Sequence, residues 1–208
     1  MSLVGGVMRP QIIQLPPPQL EGAVTVEAAM RLRRSVRNFQ STPLSLKQTA
    51  QLLWAGQGLT SPRGFRTAPS AGALYPLEMI LAAGAINDLA PGIYRYQPQG
   101  HCLALIASGD RRDTLCKAAL RQSAVRKAPA LVAICAVFAR VSSKYGQRGI
   151  QYTHMEVGHA AQNICLQAVA MGLGTVVLGA YDDHLVQNAL AAAPEEVPLY
   201  LIPCGAAA

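Results

Sequence analysis

The strongest constraint on the fold is an unbroken apolar segment at residues 130–138, Ala-Leu-Val-Ala-Ile-Cys-Ala-Val-Phe. The segment is shorter than the roughly 18 apolar residues that a membrane helix needs. Its centre is β-branched, which is typical of a strand that is covered on both faces. The segment therefore predicts a sheet that lies inside the domain, with helices around it.

The remaining pattern predicts an α+β domain. We expect further strands near residues 78–83, 92–96, 102–107, 175–178 and 198–202, and helices near 25–34, 45–56, 111–122, 151–171 and 182–193. The second helix begins at a capping box, Ser45-Leu-Lys-Gln48. The helix at 151–171 is apolar nearly all the way round, which predicts a central position or a subunit interface.

The chain predicts one domain preceded by an extended arm. Residues 1–22, with three consecutive prolines at 16–18, are expected to form the arm, and residues 23–208 the domain. With 208 residues, half of them hydrophobic, the chain is long enough for one well-buried core and requires no second one.

The cysteines and the apolar segments indicate a cytoplasmic protein. The five cysteines are odd in number, widely spaced and without a C-x-x-C pair, which argues against a disulfide framework and against a zinc site. We expect them to be buried in a reducing compartment. Residues 1–7 lack the features of a secretory signal, and no membrane partner is expected.

The formal net charge of +7 is unevenly distributed. All 18 Lys and Arg residues lie at or before Arg148, whereas the stretch from Gly149 onward carries five acidic residues and no basic one. This favours an anion-binding site built mainly from the first part of the chain. A weak nucleic-acid binder is the lower-ranked alternative, because aromatics are sparse and no nucleic-acid-binding motif is present.

The sequence Arg33-Arg34-Ser35-Val36-Arg37 is the first candidate site. On a helix end or extended turn, Arg33, Ser35 and Arg37 can converge on one anion through charge-assisted hydrogen bonds. The alternative is a solvated basic helix terminus, which the helix dipole favours.

Residues 69–76, Pro-Ser-Ala-Gly-Ala-Leu-Tyr-Pro, are the second candidate. Their small side chains leave backbone N–H groups accessible to ring nitrogens and carbonyl groups of a ligand. The alternative is an ordinary Gly/Pro loop. Taken together, the two candidates predict a planar, phosphorylated cofactor.

Three other patterns bear on a dinucleotide site, a metal site and a catalytic pair. The glycines at 172, 174 and 179 follow a helix and precede a strand, the reverse of a Rossmann turn, although residues 178–180 could lie along a ligand edge. His154 and His159 would point about 140° apart on a helix, so no metal site is proposed. Lys144 and Tyr145 could act in general acid–base catalysis, or could be an exposed loop pair.

Seven segments in order resemble one family. They are Arg-Arg-Ser-Val-Arg-Asn-Phe, Leu-Leu-Trp-Ala-Gly-Gln-Gly, Arg-Thr-Ala-Pro-Ser-Ala-Gly-Ala-Leu-Tyr-Pro-Leu-Glu, Gly-Ile-Tyr-Arg-Tyr, Lys-Tyr-Gly, Glu-Val-Gly-His-Ala-Ala-Gln-Asn and Gly-Leu-Gly-Thr-Val-Val. The chain resembles the nitroreductase-like FMN flavoproteins, and specifically their SagB-type dehydrogenase branch, over about residues 12–205. Each motif is weak alone, but their shared order is specific.

The resemblance implies a fold and a set of site residues. The fold is a mixed, mainly antiparallel sheet of four or five strands between helices, assembled as an obligate homodimer with FMN at the interface. The residues that the resemblance assigns to FMN are Arg33, Arg34, Ser35, Arg37, Gln122, Leu178, Gly179 and Ala180, with Pro69, Ser70, Ala71 and Ala73 reaching in from the other subunit. It assigns the catalytic acid–base role to Lys144 and Tyr145.

The resemblance also implies the chemistry, a ping-pong transfer of hydride through flavin N5. The substrate would be either an azoline-type ring in a peptide, or NAD(P)H with a small nitro or quinone acceptor. A non-catalytic flavin-binding or scaffold protein is the alternative. Related nitroreductases often carry a basic residue near the C-terminus that holds the phosphate. This sequence has none there, so Arg33 and Arg37 are expected to supply more of the charge.

Overall fold

A computed structural model describes residues 11–208. Seven strands of this region form one antiparallel sheet in the order β1-β4-β3-β2-β5-β7-β6. The strands are β1 Ile12–Gln14, β2 Leu77–Ala83, β3 Gly92–Gln97, β4 Cys102–Ser108, β5 Ala130–Ala136, β6 Gly174–Thr175 and β7 Val197–Gly205. The helices are α1 Val26–Leu32, α2 Leu46–Gln57, α3 Arg112–Ala118, α4 Ser123–Lys127, α5 Ala139–Tyr145, α6 Arg148–Ala170 and α7 Asp183–Ala189.

Strand β5 lies at the centre of the sheet, as its apolar sequence predicts. All seven of its residues are buried, and it pairs with β2 on one side and with β7 on the other. Because side chains alternate along a strand, Val132 and Ile134 enter one core while Leu131 and Cys135 enter the other. The α+β prediction with a sheet covered on both faces is confirmed.

The helices divide between the two faces. Helices α2 and α6 pack on the face that contains Val132, whereas α3, α4 and α7 pack on the face that contains Leu131. Helix α2 begins with the predicted capping box, in which the Ser45 hydroxyl accepts from Gln48 N–H and the Gln48 side chain accepts from Ser45 N–H. All five cysteines are buried and unbridged.

The sheet is wider than the four or five strands that the resemblance implies, because two short edge strands extend it. Strand β1 pairs with β4 through Ile13 and Leu103, Leu15 is buried, and His101 Nε2 lies 2.9 Å from the Pro16 carbonyl oxygen. The described part of the expected arm is therefore extended but attached to the sheet. Residues 1–10 of that arm lie outside the described residues, and the division at residue 22 stays a prediction.

Several predicted elements differ from the structure in extent: the helix expected at 182–193 ends at Ala189, and the strand expected at 175–178 spans only Gly174–Thr175. The expected helix at 111–122 ends at Ala118, because Leu120 and Arg121 adopt positive φ angles of 53° and 60°, and α4 starts afterwards. Sequence reasoning missed α5, which joins β5 to α6. Helix α6 also starts three residues earlier than expected and exposes a stripe that includes Met155, so its apolar surface is not fully covered within one chain.

No helix among residues 11–208 is both long and apolar enough to cross a membrane. The same residues contain no group of three or more Cys, His, Asp or Glu side chains that could hold a metal ion.

Candidate active site

The arginine-rich segment leaves α1 in an extended conformation and runs beside β6. Ser35 forms a parallel bridge with Thr175, and Val36 N–H donates to the Thr175 carbonyl at 2.9 Å. The Val36 side chain packs against Gly174, where an added Cβ would lie 2.7 Å from Val36 Cβ. Since side chains alternate along an extended chain, Ser35 and Arg37 point away from Val36 and toward solvent. This is the arrangement that convergence of Arg33, Ser35 and Arg37 on one anion requires.

Arg34 has a different environment. Its Nη1 donates to the carbonyl oxygens of Arg31 and Arg33, at 2.9 and 2.8 Å. These bonds cap free carbonyls at the end of α1 and shape the turn that presents the neighbouring arginines. Direct contact of Arg34 with FMN stays a prediction.

The last residues of the chain lie beside this segment. Gln40 N–H donates to the Ala206 carbonyl at 3.0 Å, and Ala208 N–H donates to the Asn38 carbonyl at 3.1 Å. Lys127, from α4, places its Nζ 3.3 Å from Asn38 Oδ1. Lys127 is thus a second source of positive charge at this edge. Sequence reasoning missed it, because nothing in a local pattern brings α4 next to residue 38.

The strand end at residues 178–180 is brought together with Gln122. Leu178 and Leu201 exchange two backbone hydrogen bonds of 2.9 and 3.0 Å, after which Gly179 and Ala180 are exposed. Gln122 Nε2 donates to the Ala180 carbonyl at 2.8 Å. The two positive-φ residues before Gln122 create the turn that makes this contact possible. Gln122, Gly179 and Ala180 therefore form one surface, whereas Leu178 is only 6% exposed and packs into the core, so its contact with FMN stays a prediction.

Residues 69–76 form a strained loop. Positive φ angles occur at Gly72 (62°), Ala73 (54°) and Tyr75 (46°), and Ser70 Oγ accepts from Tyr75 N–H at 2.9 Å. A non-glycine residue in this region costs of the order of 1 kcal/mol or more, and such strain concentrates at functional sites. Pro69, Gly72 and Ala73 are exposed, but the N–H groups of Ala73 and Tyr75 already donate within the loop, to the Ser70 carbonyl and to Ser70 Oγ. Only part of the loop backbone is therefore open to a ligand, and its contact with FMN stays a prediction.

Lys144 and Tyr145 lie directly against this loop. A Cβ added to Gly72 would stand 2.8 Å from Tyr145 Oη and 3.2 Å from Lys144 Nζ. The Tyr145 ring packs edge-on against Tyr152 of α6 at 5.3 Å between ring centres. The pair therefore lies in the last turn of α5 rather than in a loop; Tyr145 is held by packing, whereas Lys144 is exposed. Its catalytic role stays a prediction.

Sequence reasoning missed a buried polar cluster beneath the loop. Glu156 of α6 is only 3% exposed, and burial raises the pKa of its carboxyl to about 7, although the Ser70 hydroxyl and the Arg66 guanidinium oppose the shift. Arg66 Nη1 donates to Gln57 Oε1 at 2.7 Å, and its guanidinium lies 4.5 Å from the centre of the Tyr75 ring. The available signal was that Glu156 is the single acidic residue of α6.

An ion-pair chain borders the cluster. Arg95 forms a two-pronged pair with Glu196, and Arg140 bonds both Glu78, at 2.5 Å, and the Tyr75 carbonyl, at 3.1 Å. A polar cavity of about 380 Å³ lies beside this chain of ion pairs, and its polar lining includes Gln57, Arg66, Glu78, Arg95 and Arg140.

The candidate residues thus form two groups. The first group contains the arginine segment, Gln122 and residues 178–180; the second contains residues 69–73 with Lys144 and Tyr145. Among residues 11–208, no hydrogen bond or ion pair joins the two groups.

The sequence profile described as the Nitroreductase family matches residues 30–206. The chain belongs to the nitroreductase family. The matched region contains every candidate residue of both groups, and it shows that the protein is an oxidoreductase of this family with the nitroreductase fold.

Individual relatives agree with this membership. A protein of Methanocaldococcus jannaschii named as a nitroreductase is 40% identical over 188 residues, which cover 90% of this chain and 93% of the relative. A crystal structure of a Ralstonia eutropha protein described as a nitroreductase superposes with a TM-score of 0.82 at 29% identity, covering 96% and 94% of the two chains.

The microcin B17-processing protein McbC of Escherichia coli is a more distant relative. It is 26% identical over 166 residues, which cover 77% of this chain and 61% of McbC. The chain therefore spans less than two thirds of the length of McbC.

Proposed function

We propose that this nitroreductase-family oxidoreductase uses FMN, held between the two groups of residues. The observation that carries the proposal is the pair of complementary surfaces, one with arginines beside a small-residue strand end and one with a strained loop beside Lys144 and Tyr145. The arginines and the strand end suit the phosphate and the ring edge of FMN. The strained loop suits the planar face of the ring, with Lys144 and Tyr145 next to it as an acid–base pair.

The residues present fit FMN. Arg33 and Arg37, with the Ser35 hydroxyl between them and Lys127 nearby, would hold the phosphate. Gly179, Ala180 and the exposed backbone of residues 69–73 would lie along the isoalloxazine, because they place no bulky side chain on their surface. When bound, FMN supplies hydride transfer through N5, and the protein supplies binding, orientation and electrostatics.

We propose that a second copy of the chain completes the site. Among the described residues of one chain, no hydrogen bond or ion pair joins the two groups, so each can serve as half of a site across a two-fold interface. The apolar side chains of Val26, Met30 and Leu32 on α1 and Met155 on α6 are at least half exposed. Such a concentration of exposed apolar residues is a reason to expect a covering partner.

We propose SagB-type dehydrogenation of an azoline-type ring in a peptide as the preferred reaction. Similarity to McbC and the placement of Lys144 and Tyr145 against the loop favour it. Reduction of a nitro or quinone acceptor with NAD(P)H is the second candidate, favoured by the 40% identical relative that is named as a nitroreductase.

The cofactor is tested by the absorbance spectrum of the native protein, followed by release and identification of the chromophore. We expect a yellow protein that releases FMN, and a colourless double variant Arg33→Ala/Arg37→Ala. Arg63→Ala is the matched control, because Arg63 is an exposed arginine outside both groups. A colourless wild-type protein that cannot be reconstituted with FMN would contradict the proposal.

Turnover measurements separate the candidate reactions. The flavin-loaded protein is supplied with NADH or NADPH and a quinone or nitro acceptor, and separately with an azoline-containing peptide and oxygen. If only the assay with peptide and oxygen shows turnover, the result supports dehydrogenation. If only the assay with NADH or NADPH and an acceptor shows turnover, it supports acceptor reduction. Absence of both activities, in fully loaded protein, would contradict both candidate reactions.

A further inference from the structure

Glu156 has an unusual environment for a carboxyl group. Neither of its oxygens has a hydrogen-bond partner of normal geometry, although both are buried. Gln57 Nε2 is the remaining buried side-chain nitrogen or oxygen without a partner among residues 11–208. Both residues neighbour Arg66, whose Nη1 bonds Gln57 rather than Glu156. An ionised carboxylate without hydrogen bonds is costly in such a site.

The loop runs along the face of α6 that carries Glu156. Tyr152 and Glu156 are four residues apart, so they lie on the same face of the helix. Tyr152 packs against Tyr145, which lies against Gly72, while the Ser70 hydroxyl lies beside Glu156. Glu156 is therefore on the protein side of the loop segment that the proposed function assigns to FMN.

The Ser70 hydroxyl can choose between two directions. Its oxygen is held in place because it accepts from Tyr75 N–H at 2.9 Å, so only its proton is free to turn. An ionised Glu156 can only accept and draws that proton inward. A protonated Glu156 can instead donate to Ser70 Oγ, which leaves the hydroxyl proton free to point outward.

We propose that Glu156 is a positioning residue: the proton on its carboxyl sets whether Ser70 donates inward to Glu156 or outward to the cofactor. This inference rests on the proposed function, because the outward acceptor is FMN. Arg66 is the charged group that acts on Glu156, and Glu78 and Arg140 act in turn on Arg66. From α5, Tyr145 packs against Tyr152, which lies one helical turn before Glu156 on the same face of α6.

The first test uses the full-length protein without flavin. The Glu156 carboxyl is followed by infrared spectroscopy during a pH titration, with Glu156→Gln to identify its band. We expect it to titrate near neutrality, and Ser70→Ala to raise its pKa further, because the inward-pointing hydroxyl stabilises the ionised form. An unchanged pKa in Ser70→Ala would overturn the coupling, whether or not the protein binds FMN.

The second test measures the Kd of FMN from about pH 5.5 to about pH 8.5, a range that brackets neutrality. We expect wild-type affinity to fall by about three- to tenfold as pH rises through this range, because one donor to the cofactor is lost. Glu156→Gln should keep the affinity of the low-pH state throughout, since its amide stays neutral and can donate to Ser70. Ionisation of the FMN phosphate affects both proteins equally. The difference between the pH dependence of their Kd values therefore reports the effect of Glu156.

Two controls complete the design. Ser70→Ala should bind more weakly and lose the part of the pH dependence that Glu156 causes. Glu195→Gln removes an exposed carboxyl and should behave as wild type. If Glu156→Gln and wild type show the same pH dependence, the positioning role is wrong. If the wild type binds no FMN at any pH, the proposed function is wrong, and the flavin-free titration alone decides the Ser70 coupling.

Discussion

Gly72 lies so close to Tyr145 that one added methyl group would stand 2.8 Å from the phenol oxygen. The contact joins the strained loop to the end of α5, and thus joins the proposed cofactor segment to the proposed acid–base pair. Glycine is needed here for two reasons, because its φ is also positive.

We therefore expect Gly72→Ala to displace the Tyr145 hydroxyl. Only the hydroxyl end of the Tyr145 side chain must move, so the variant should fold. The positive φ at residue 72 should lower its stability by about 1 kcal/mol. Turnover should fall more than flavin affinity does. Gly22→Ala is the control, since Gly22 has open space around its Cβ position and no positive φ. Normal turnover in Gly72→Ala would contradict a role for this contact.

Removing the acid–base groups themselves should separate catalysis from binding. We expect Lys144→Ala and Tyr145→Phe to keep the yellow colour and to lower kcat by about 10²- to 10⁴-fold, the usual contribution of general acid–base catalysis. Lys47→Ala, which removes an exposed lysine on α2, is the control. Loss of flavin together with activity would instead indicate a structural role for the pair.

The Arg95–Glu196 pair predicts a pH-dependent stability. Burial raises the pKa of Glu196, but the hydrogen bonds from Arg95 and Ala193 outweigh this effect and lower it below 4.5. The pair therefore contributes stability that is present above about pH 4.5 and is lost as pH falls through the lower folded-state value. We expect Glu196→Gln to destabilise the protein by about 2 kcal/mol at neutral pH, because it leaves Arg95 partly unpaired.

Urea unfolding at several pH values checks this expectation. The difference between wild type and Glu196→Gln should shrink as the solution is acidified below pH 4.5. Glu195→Gln changes the adjacent, exposed carboxyl and should stay within about 0.5 kcal/mol of wild type at every pH. A difference that does not depend on pH would mean that packing, rather than charge, causes the loss.

The dimer and the flavin should depend on each other. Met30 on α1 is 58% exposed, and we expect Met30→Glu to weaken a dimer by placing a charge in its interface. Size-exclusion chromatography with light scattering should then show a larger monomer fraction that has lost its colour. Leu185→Glu, at a 54% exposed position on α7, is the control. A monomer that keeps all its FMN would contradict the shared site.

The elements that local pattern determines were predicted well. The unbroken apolar run gave β5, and the capping box gave the start of α2 at Ser45. Helix α5 was missed because Ala139–Tyr145 is short and starts without a capping side chain. The break after Ala118 was missed because Leu120 and Arg121 are not residues that normally adopt a positive φ.

The site shows the same division. The arginines, the strained loop and the Lys144–Tyr145 pair are visible as short patterns, and the structure brings Gln122 to Ala180 and Gly72 to Tyr145. Glu156, Arg66 and Lys127 could not be assigned to the site from sequence. Glu156 interacts with Ser70 and Arg66, and Lys127 with Asn38, and the partners in each case are more than 30 positions apart. These interactions depend on the packing of whole helices.

The central strands have a consequence for how such a site can diversify. The strained loop enters β2 at Leu77, α5 follows β5 at Ala136, and these two residues are paired opposite each other in the sheet. Both functional segments therefore start from the same cross-strand pair, and the backbone hydrogen bonds of the sheet maintain the distance between their starting points. Substitutions in the loop or in α5 can alter the reacting groups while their separation stays constant, so new chemistry requires no new fold.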